Sequence, residues 1–140
     1  MIAKSVSFRQ IQSFWGAFLF SVVLFAYFSS EVHKDFDGRF RWQHWVAIGL
    51  GIYSAIVGYL FRKKFMAQGS KAAASGDLAR ATRSWKAAQY LAFSCSGSVV
   101  AWGVFVSLAV GSPGWLDALF YGTGFFLLLA YRPTKPAFIG

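Results

Sequence analysis

Few side chains of this 140-residue sequence could take part in catalysis or metal binding, and most of them lie in the stretch SEVHKDFDGRFRWQH. His33 and His44 stand in this stretch, accompanied by Glu31, Asp35 and Asp37. Imidazole and carboxylate groups are common ligands of zinc and similar ions. The spacing matches no usual pattern, such as two histidines four positions apart on a helix. We therefore interpret both histidines as solvated loop residues and predict no metal site.

Nucleophilic chemistry has little more support. A Ser-His-Asp arrangement would require Asp117 to approach one of these histidines together with Ser112, and no motif in the sequence indicates it. The single cysteine, Cys95, excludes an internal disulfide and a zinc site built on several thiolates. Cys95 lies in a long apolar stretch, where a thiol is expected to be unreactive. The sequence therefore predicts a protein with no cofactor, no metal and no enzymatic activity.

Four apolar stretches dominate the chain and must position whatever site it has. Each approaches the roughly 20 residues that a helix needs to cross a bilayer core. The whole chain is 56% hydrophobic and 14% charged, and backbone amides in lipid need partners within the helix itself. We predict an all-α integral membrane protein with one domain over residues 1–140. It is expected to form a four-transmembrane-helix bundle with spans at about residues 11–29, 45–61, 87–110 and 114–131.

The 14 Lys and Arg residues are distributed unevenly between the loops. Lys34, Arg39 and Arg41 fall in the first loop, and all the others fall in the N-terminal segment, the second loop at residues 62–86 or the C-terminal segment. Cytoplasmic loops carry an excess of Lys and Arg. We therefore predict that both termini and the second loop are cytoplasmic, in the cell (cytoplasmic or inner) membrane. This topology explains the net charge of +9 without nucleic acid as a partner.

The second loop contains a helical pattern of its own. In SGDLARATRSWKAAQY, Ser75 is a candidate N-cap and Asp77 lies in the first turn, where the helix dipole favours an anion. Arg80, Arg83 and Lys86 follow at three-residue spacing. We predict a basic cytoplasmic extension of the third helix that contacts anionic lipid headgroups. The alternative is that these cations only determine the orientation in the membrane.

Ionisable residues within spans usually mark ion or proton pathways, because charge is costly to bury in lipid. The first three spans hold none away from their ends, which argues against a proton relay or an ion-coupled carrier. Small residues are the remaining pattern, since a four-residue interval lets two helices approach closely in lipid. We define the small-residue faces of the second and third helices by eight predicted helix-packing residues: Gly51, Ser54, Ala55, Gly58, Ser94, Gly97, Ser98 and Ala101.

The glycine-rich second helix, the basic loop and the stretch SGSVVAWGVFVSLAV together resemble the proteolipid ring subunit (subunit c) of rotary ATP synthases. The resemblance covers about residues 46–108 and implies a helical hairpin with a cytoplasmic loop. Trp102 and Gly103 would be the aromatic-glycine pair of that family's second helix. Gly97 stands where the family has its proton-carrying carboxylate, the loop is far longer, and two further helices flank the hairpin. The resemblance therefore implies hairpin packing without proton transport.

These observations favour a non-enzymatic scaffold or accessory subunit, with the small-residue faces binding copies of the chain or a larger membrane partner. An oligomeric channel or transporter for a small neutral or hydrophobic solute is the alternative. Its path would be lined by six polar residues: Tyr53, Ser94, Ser96, Ser98, Tyr121 and Thr123. A membrane enzyme acting on lipid is a third possibility, with His33, His44, Asp35 and Asp37 as its polar cluster.

Overall fold

The computed structural model describes residues 8–138, and the regular secondary structure of this part of the chain is all helical, with no strand. Three of its helices are long and apolar enough to cross a membrane, and a shorter apolar helix follows them. The prediction of an all-helical protein with potential membrane-spanning helices is confirmed. The elements are α1 (Phe8–Val32), α2 (Trp42–Ala74), α3 (Leu78–Phe105), a π-helical segment that continues α3 (Val106–Val110), and α4 (Gly114–Ala130).

α3 lies at the centre of the bundle and contacts each of the other helices. α1 runs parallel to it, because Phe8 packs near Trp85 and Phe18 packs near Phe93, with ring centroids 6.2 and 6.0 Å apart. α4 runs antiparallel to α1: the indole N–H of Trp15, in the first half of α1, donates to the backbone oxygen of Leu128 at 2.6 Å. The two ends of the described chain therefore lie at the same end of the bundle.

Residues 62–86, predicted as a loop with one helical part, form the turn of the α2–α3 hairpin and the helical segments on either side of it. α2 continues without interruption to Ala74 and α3 begins at Leu78, so only a short turn separates them. Lys, Ala, Met and Gln are good helix formers and the segment has no proline, so nothing interrupts α2 after its apolar part. We refer to residues 62–86 as the basic hairpin.

The predicted N-cap of the third helix, Ser75, is corrected by the structure. Asp77 occupies the N-cap position, and its carboxylate accepts a hydrogen bond from the backbone N–H of Arg80 at 3.1 Å. Ser75 instead ends α2, where its hydroxyl donates to the backbone oxygen of Ala72. Gly76 allows the turn between them because its φ of +82° is one that residues with a side chain rarely adopt.

The buried core is aromatic and aliphatic and is centred on α3. Trp85, Phe93 and Val100 lie along one side of this helix and are almost fully buried against Ile11 and Leu128. The outward faces of α1, α2 and α4 instead expose large apolar side chains, among them Phe20, Tyr27, Ile52, Tyr59 and Phe126. Such extensive apolar exposure is unusual for a soluble monomer and suits lipid-facing helices.

Candidate functional site

A close approach between α2 and α3 joins Gly58, one of the predicted helix-packing residues, to Cys95, which is not one of them. A Cβ atom added to Gly58 would lie 2.6 Å from the Cβ atom of Cys95, so the two backbones can meet here only because Gly58 has no side chain. One turn along, the hydroxyls of Ser54 and Ser98 are hydrogen-bonded at 3.2 Å. We call this contact the α2–α3 seam. Small side chains and a weak polar contact act together in it, as expected for helices that associate in lipid.

Other small residues contact different helices. A Cβ atom on Gly51 would lie 3.0 Å from the Phe120 ring of α4, and a Cβ atom on Gly97 would lie 3.0 Å from the Phe18 ring of α1. The two small-residue faces therefore serve three helix contacts within one chain. Sequence periodicity does not distinguish these partners, because it identifies a face of a helix without identifying what covers that face.

Open grooves lie between the helices of the described chain, and two of them contain predicted helix-packing residues. The first, the α1–α3 groove, has a volume of about 450 Å³ and a floor formed by small residues of α3: Ser94, Gly97, Ser98 and Ala101. The second, the α2–α4 groove, has a volume of about 360 Å³ and includes Gly51 and Ala55. Both are lined almost entirely by apolar groups, so they suit another helix or lipid chains better than a polar solute.

The six residues considered for a solute path lie in separate places. Ser94 and Ser98 line the α1–α3 groove, whereas Thr123 lines the α2–α4 groove. Ser96 is fully buried and donates a hydrogen bond to the backbone oxygen of Ala92 at 2.8 Å. Tyr53 is exposed on the outer face of α2. The described residues thus form no single cavity that contains all six.

A polar pocket lies at the opposite end of the bundle from the basic hairpin. It has a volume of about 350 Å³, and Asp117 in the first turn of α4 is its acidic residue. We call it the Asp117 pocket and define it by its polar lining residues: Ser29, Ser30, His33, Ser112, Asp117 and Tyr121. α1 and the residue that follows it, the segment before α4, and α4 itself contribute these side chains, which are distant in the sequence.

Hydrogen bonds organise the Asp117 pocket. One carboxylate oxygen of Asp117 accepts from the Ser112 hydroxyl and the other from the Ser107 hydroxyl, the latter at 3.4 Å. The Tyr121 hydroxyl donates to Ser29 Oγ at 2.6 Å. Sequence reasoning considered Asp117 with Ser112 only for a Ser-His-Asp arrangement that no motif supports, named Tyr121 only for a solute path, and missed Ser29 and Ser107. No local signal marks this grouping, because these residues come together only when α1, α3 and α4 pack.

His44 is buried, contrary to the prediction of a solvated loop histidine. Its Nδ1 accepts from the backbone N–H of Arg41 at 2.9 Å, and its Nε2 lies 2.7 Å from the backbone oxygen of Gly111. These partners require the tautomer with hydrogen on Nε2. His44 thereby joins the start of α2 to the segment between α3 and α4. His44 is shielded from solvent because the aromatic rings of Phe36 and Phe40 pack against its imidazole.

The other residues of the first loop are dispersed. His33 is exposed at the rim of the Asp117 pocket. Asp37 forms an ion pair with Arg41 at 2.7 Å, and this hydrogen bond, with a second one from the Arg39 backbone, holds the pKa of the Asp37 carboxyl below its usual value. Among residues 8–138, no group of three or more His, Cys, Asp or Glu side chains is arranged to hold a metal ion.

The predicted headgroup-contact residues lie on the basic hairpin. Arg80 and Arg83 are exposed and Lys86 is half-buried. Gly69 of α2 packs against the backbone of Ala81 and Trp85, so this part of α3 is held against α2. From Arg62 to the end of α2 at Ala74 the helix rises by about 18 Å, at about 1.5 Å per residue. Arg80, at the far end, is therefore well separated from Arg62 along the hairpin.

No protein-family model, no curated protein and no solved structure matches this chain. The resemblance to the ring subunit of rotary ATP synthases consequently stays a prediction from the sequence.

Proposed function

We propose that this chain is a small, non-enzymatic, four-span membrane protein that acts as an oligomeric or accessory subunit. The observation that carries the proposal is the α1–α3 groove, whose floor is a run of small residues open to the surroundings of the bundle. A helix from a second copy is its proposed occupant. Glycine, alanine and serine at an interface let helix backbones approach closely in lipid, where packing is the main attraction.

The proposed topology combines the bundle geometry with the charge distribution. α4 has 17 residues and a length of about 25 Å, slightly below the roughly 30 Å of a bilayer core. A shortfall of this size is accommodated by local thinning or by flanking anchors, and Trp115 is exposed in its first turn. With four spans, both termini and the basic hairpin lie on one side, which the excess of Lys and Arg assigns to the cytoplasm.

The proposed interface uses the face of α3 more than that of α2. Gly51 and Gly58 are buried within the chain against Phe120 and Cys95, so they have little surface left for a partner. Ser94 and Ala101 are exposed and lie two helical turns apart on the floor of the α1–α3 groove. They therefore offer an accessible small surface for an incoming helix.

We expect Ala101→Trp to weaken self-association by roughly tenfold or more, because overpacking a close helix contact costs about 1–3 kcal/mol. The measurement is the detergent-corrected mass from light scattering as the protein is diluted in mild detergent. Gly49→Trp is the control, since position 49 is exposed on α2 and a Cβ atom there meets nothing within 4 Å. A wild-type chain that is monomeric with no co-purifying protein would contradict the proposal.

The headgroup contact of Arg80, Arg83 and Lys86 belongs to the same proposal. Each cation near an anionic surface contributes about 1 kcal/mol. We expect the triple change to Gln to reduce retained phosphatidylglycerol, measured by native mass spectrometry after transfer to neutral detergent. The control changes Lys34, Arg39 and Arg41 to Gln at the opposite end of the bundle. Equal loss of phosphatidylglycerol in both triple variants would show that the basic hairpin has no special role in binding anionic lipid.

A further inference from the structure

The Asp117 pocket has the composition of a cation site, and the basic side chain among its lining residues is His33, which is exposed at the rim. Asp117 accepts hydrogen bonds at both carboxylate oxygens, which is the pattern of an ionised carboxylate. In the part of the chain that the structure describes, the ion pair is between Arg41 and Asp37, and Asp117 takes part in none. The dipole of α4 and the exposed His33 offset part of the cost of shielding this carboxylate from water, and a bound cation would offset more of it.

The other polar groups of the pocket also suit a cation that can donate hydrogen bonds. Ser29, Ser112 and Tyr121 are each less than a tenth exposed, yet their side chains line the pocket. Each hydroxyl oxygen has two lone pairs, so Ser112 can accept a hydrogen bond while it donates to Asp117. The Asp117 carboxylate would repel an anion, whereas the hydroxyls alone would not.

The size of the pocket indicates an organic cation. Its volume of about 350 Å³ is far larger than the roughly 30 Å³ that one water molecule takes up in the liquid. Ala26 and Ala118 form part of the lining and offer apolar surface to a short hydrocarbon chain. We propose that the Asp117 pocket binds a small primary ammonium ion, with its charged group at Asp117 and its hydrocarbon part against the two alanines. This site does not depend on the oligomeric function proposed above.

The test uses the full chain in detergent with n-propylammonium chloride as the probe and 1-propanol as the neutral probe of similar shape. Sodium chloride keeps the ionic strength constant. We expect saturable binding of n-propylammonium by calorimetry, together with a rise in the unfolding temperature. 1-Propanol should give neither effect. Asp117→Asn should weaken ammonium binding roughly 10- to 100-fold, the range expected for losing a charged hydrogen-bond partner.

Two further variants make the outcome decisive. Asp37→Asn removes another carboxylate at the same end of the bundle, outside the pocket, and should leave binding unchanged. Ala26→Leu narrows the pocket without altering Asp117 and should weaken n-propylammonium binding, which tests the proposal even if Asp117→Asn folds poorly. Three results would overturn it: no saturable ammonium binding by the wild type, equal binding by Asp117→Asn, or an Asp117-dependent response to sodium chloride alone, which would assign the pocket to bare ions.

Discussion

Gly111→Ala is expected to destabilise the protein by about 3–5 kcal/mol, the combined cost of backbone strain and overpacking. Gly111 has a φ of +84°, which disfavours any side chain, and a Cβ atom would lie 2.5 Å from the backbone oxygen of Asp35. Its N–H donates to Val106 O and its carbonyl oxygen meets the buried His44. The first loop, α2 and the end of α3 therefore all depend on this position. Thermal unfolding followed by tryptophan fluorescence measures the loss.

Gly76→Ala is the matched control for Gly111→Ala. Gly76 has nearly the same φ, +82°, but nothing lies within 4 Å of an added Cβ atom. Only the backbone strain should remain, about 1 kcal/mol or slightly more. The difference between the two variants measures the cost of the contact between Gly111 and the first loop together with that of the ψ of 131° at Gly111. If both variants unfold at the same temperature, that contact does not stabilise the protein and the proposed role of Gly111 is wrong.

Gly58→Leu is expected to separate α2 from α3. It should lower the free energy of unfolding by about 3 kcal/mol, the upper part of the usual range for overpacking. The nearest atom to an added Cβ is the Cβ of Cys95, at 2.6 Å. This atom is fixed to the backbone of α3, so a rotamer change cannot relieve the clash. The separation would also break the hydrogen bond between Ser54 and Ser98. Folded yield and unfolding temperature in detergent provide the measurement.

Two comparisons distinguish a local clash from a general intolerance of α2 to bulk. Gly49→Leu places the same side chain on the same helix in open space and should change stability little. Combining Gly58→Ala with Cys95→Gly removes the opposing Cβ atom and should recover part of the stability lost in Gly58→Ala. No recovery in the double variant, or equal damage from Gly49→Leu, would contradict close packing as the reason for glycine at position 58.

The helices were predictable because their signals are local. The four apolar stretches each correspond to a helix, since a long apolar run needs no information from distant residues to adopt this state. The helix ends were less predictable. α2 extends to Ala74, well beyond the predicted span end at residue 61. The predicted span ends where the apolar residues end, but the residues that follow are good helix formers and continue the helix.

The candidate sites were only partly predictable. Ser54, Gly58 and Ser98 lie at the α2–α3 seam, as their spacing suggested, whereas Gly51 and Gly97 contact α4 and α1. The spacing of small residues along the sequence specifies one face of a helix. The rotation of that helix and its neighbours then decide which residues that face contacts.

The amino-acid sequence by itself determined the helical state and the apolar, membrane-compatible character of this protein, because both depend on the composition of short continuous stretches. Only the tertiary structure decided that His44 is buried, that Gly111 touches the first loop, and that hydroxyls from distant segments surround Asp117. The physical reason is that such contacts depend on how the helices rotate and pack to fill the space around α3. That packing is a property of the whole chain, and no single stretch of it contains the information.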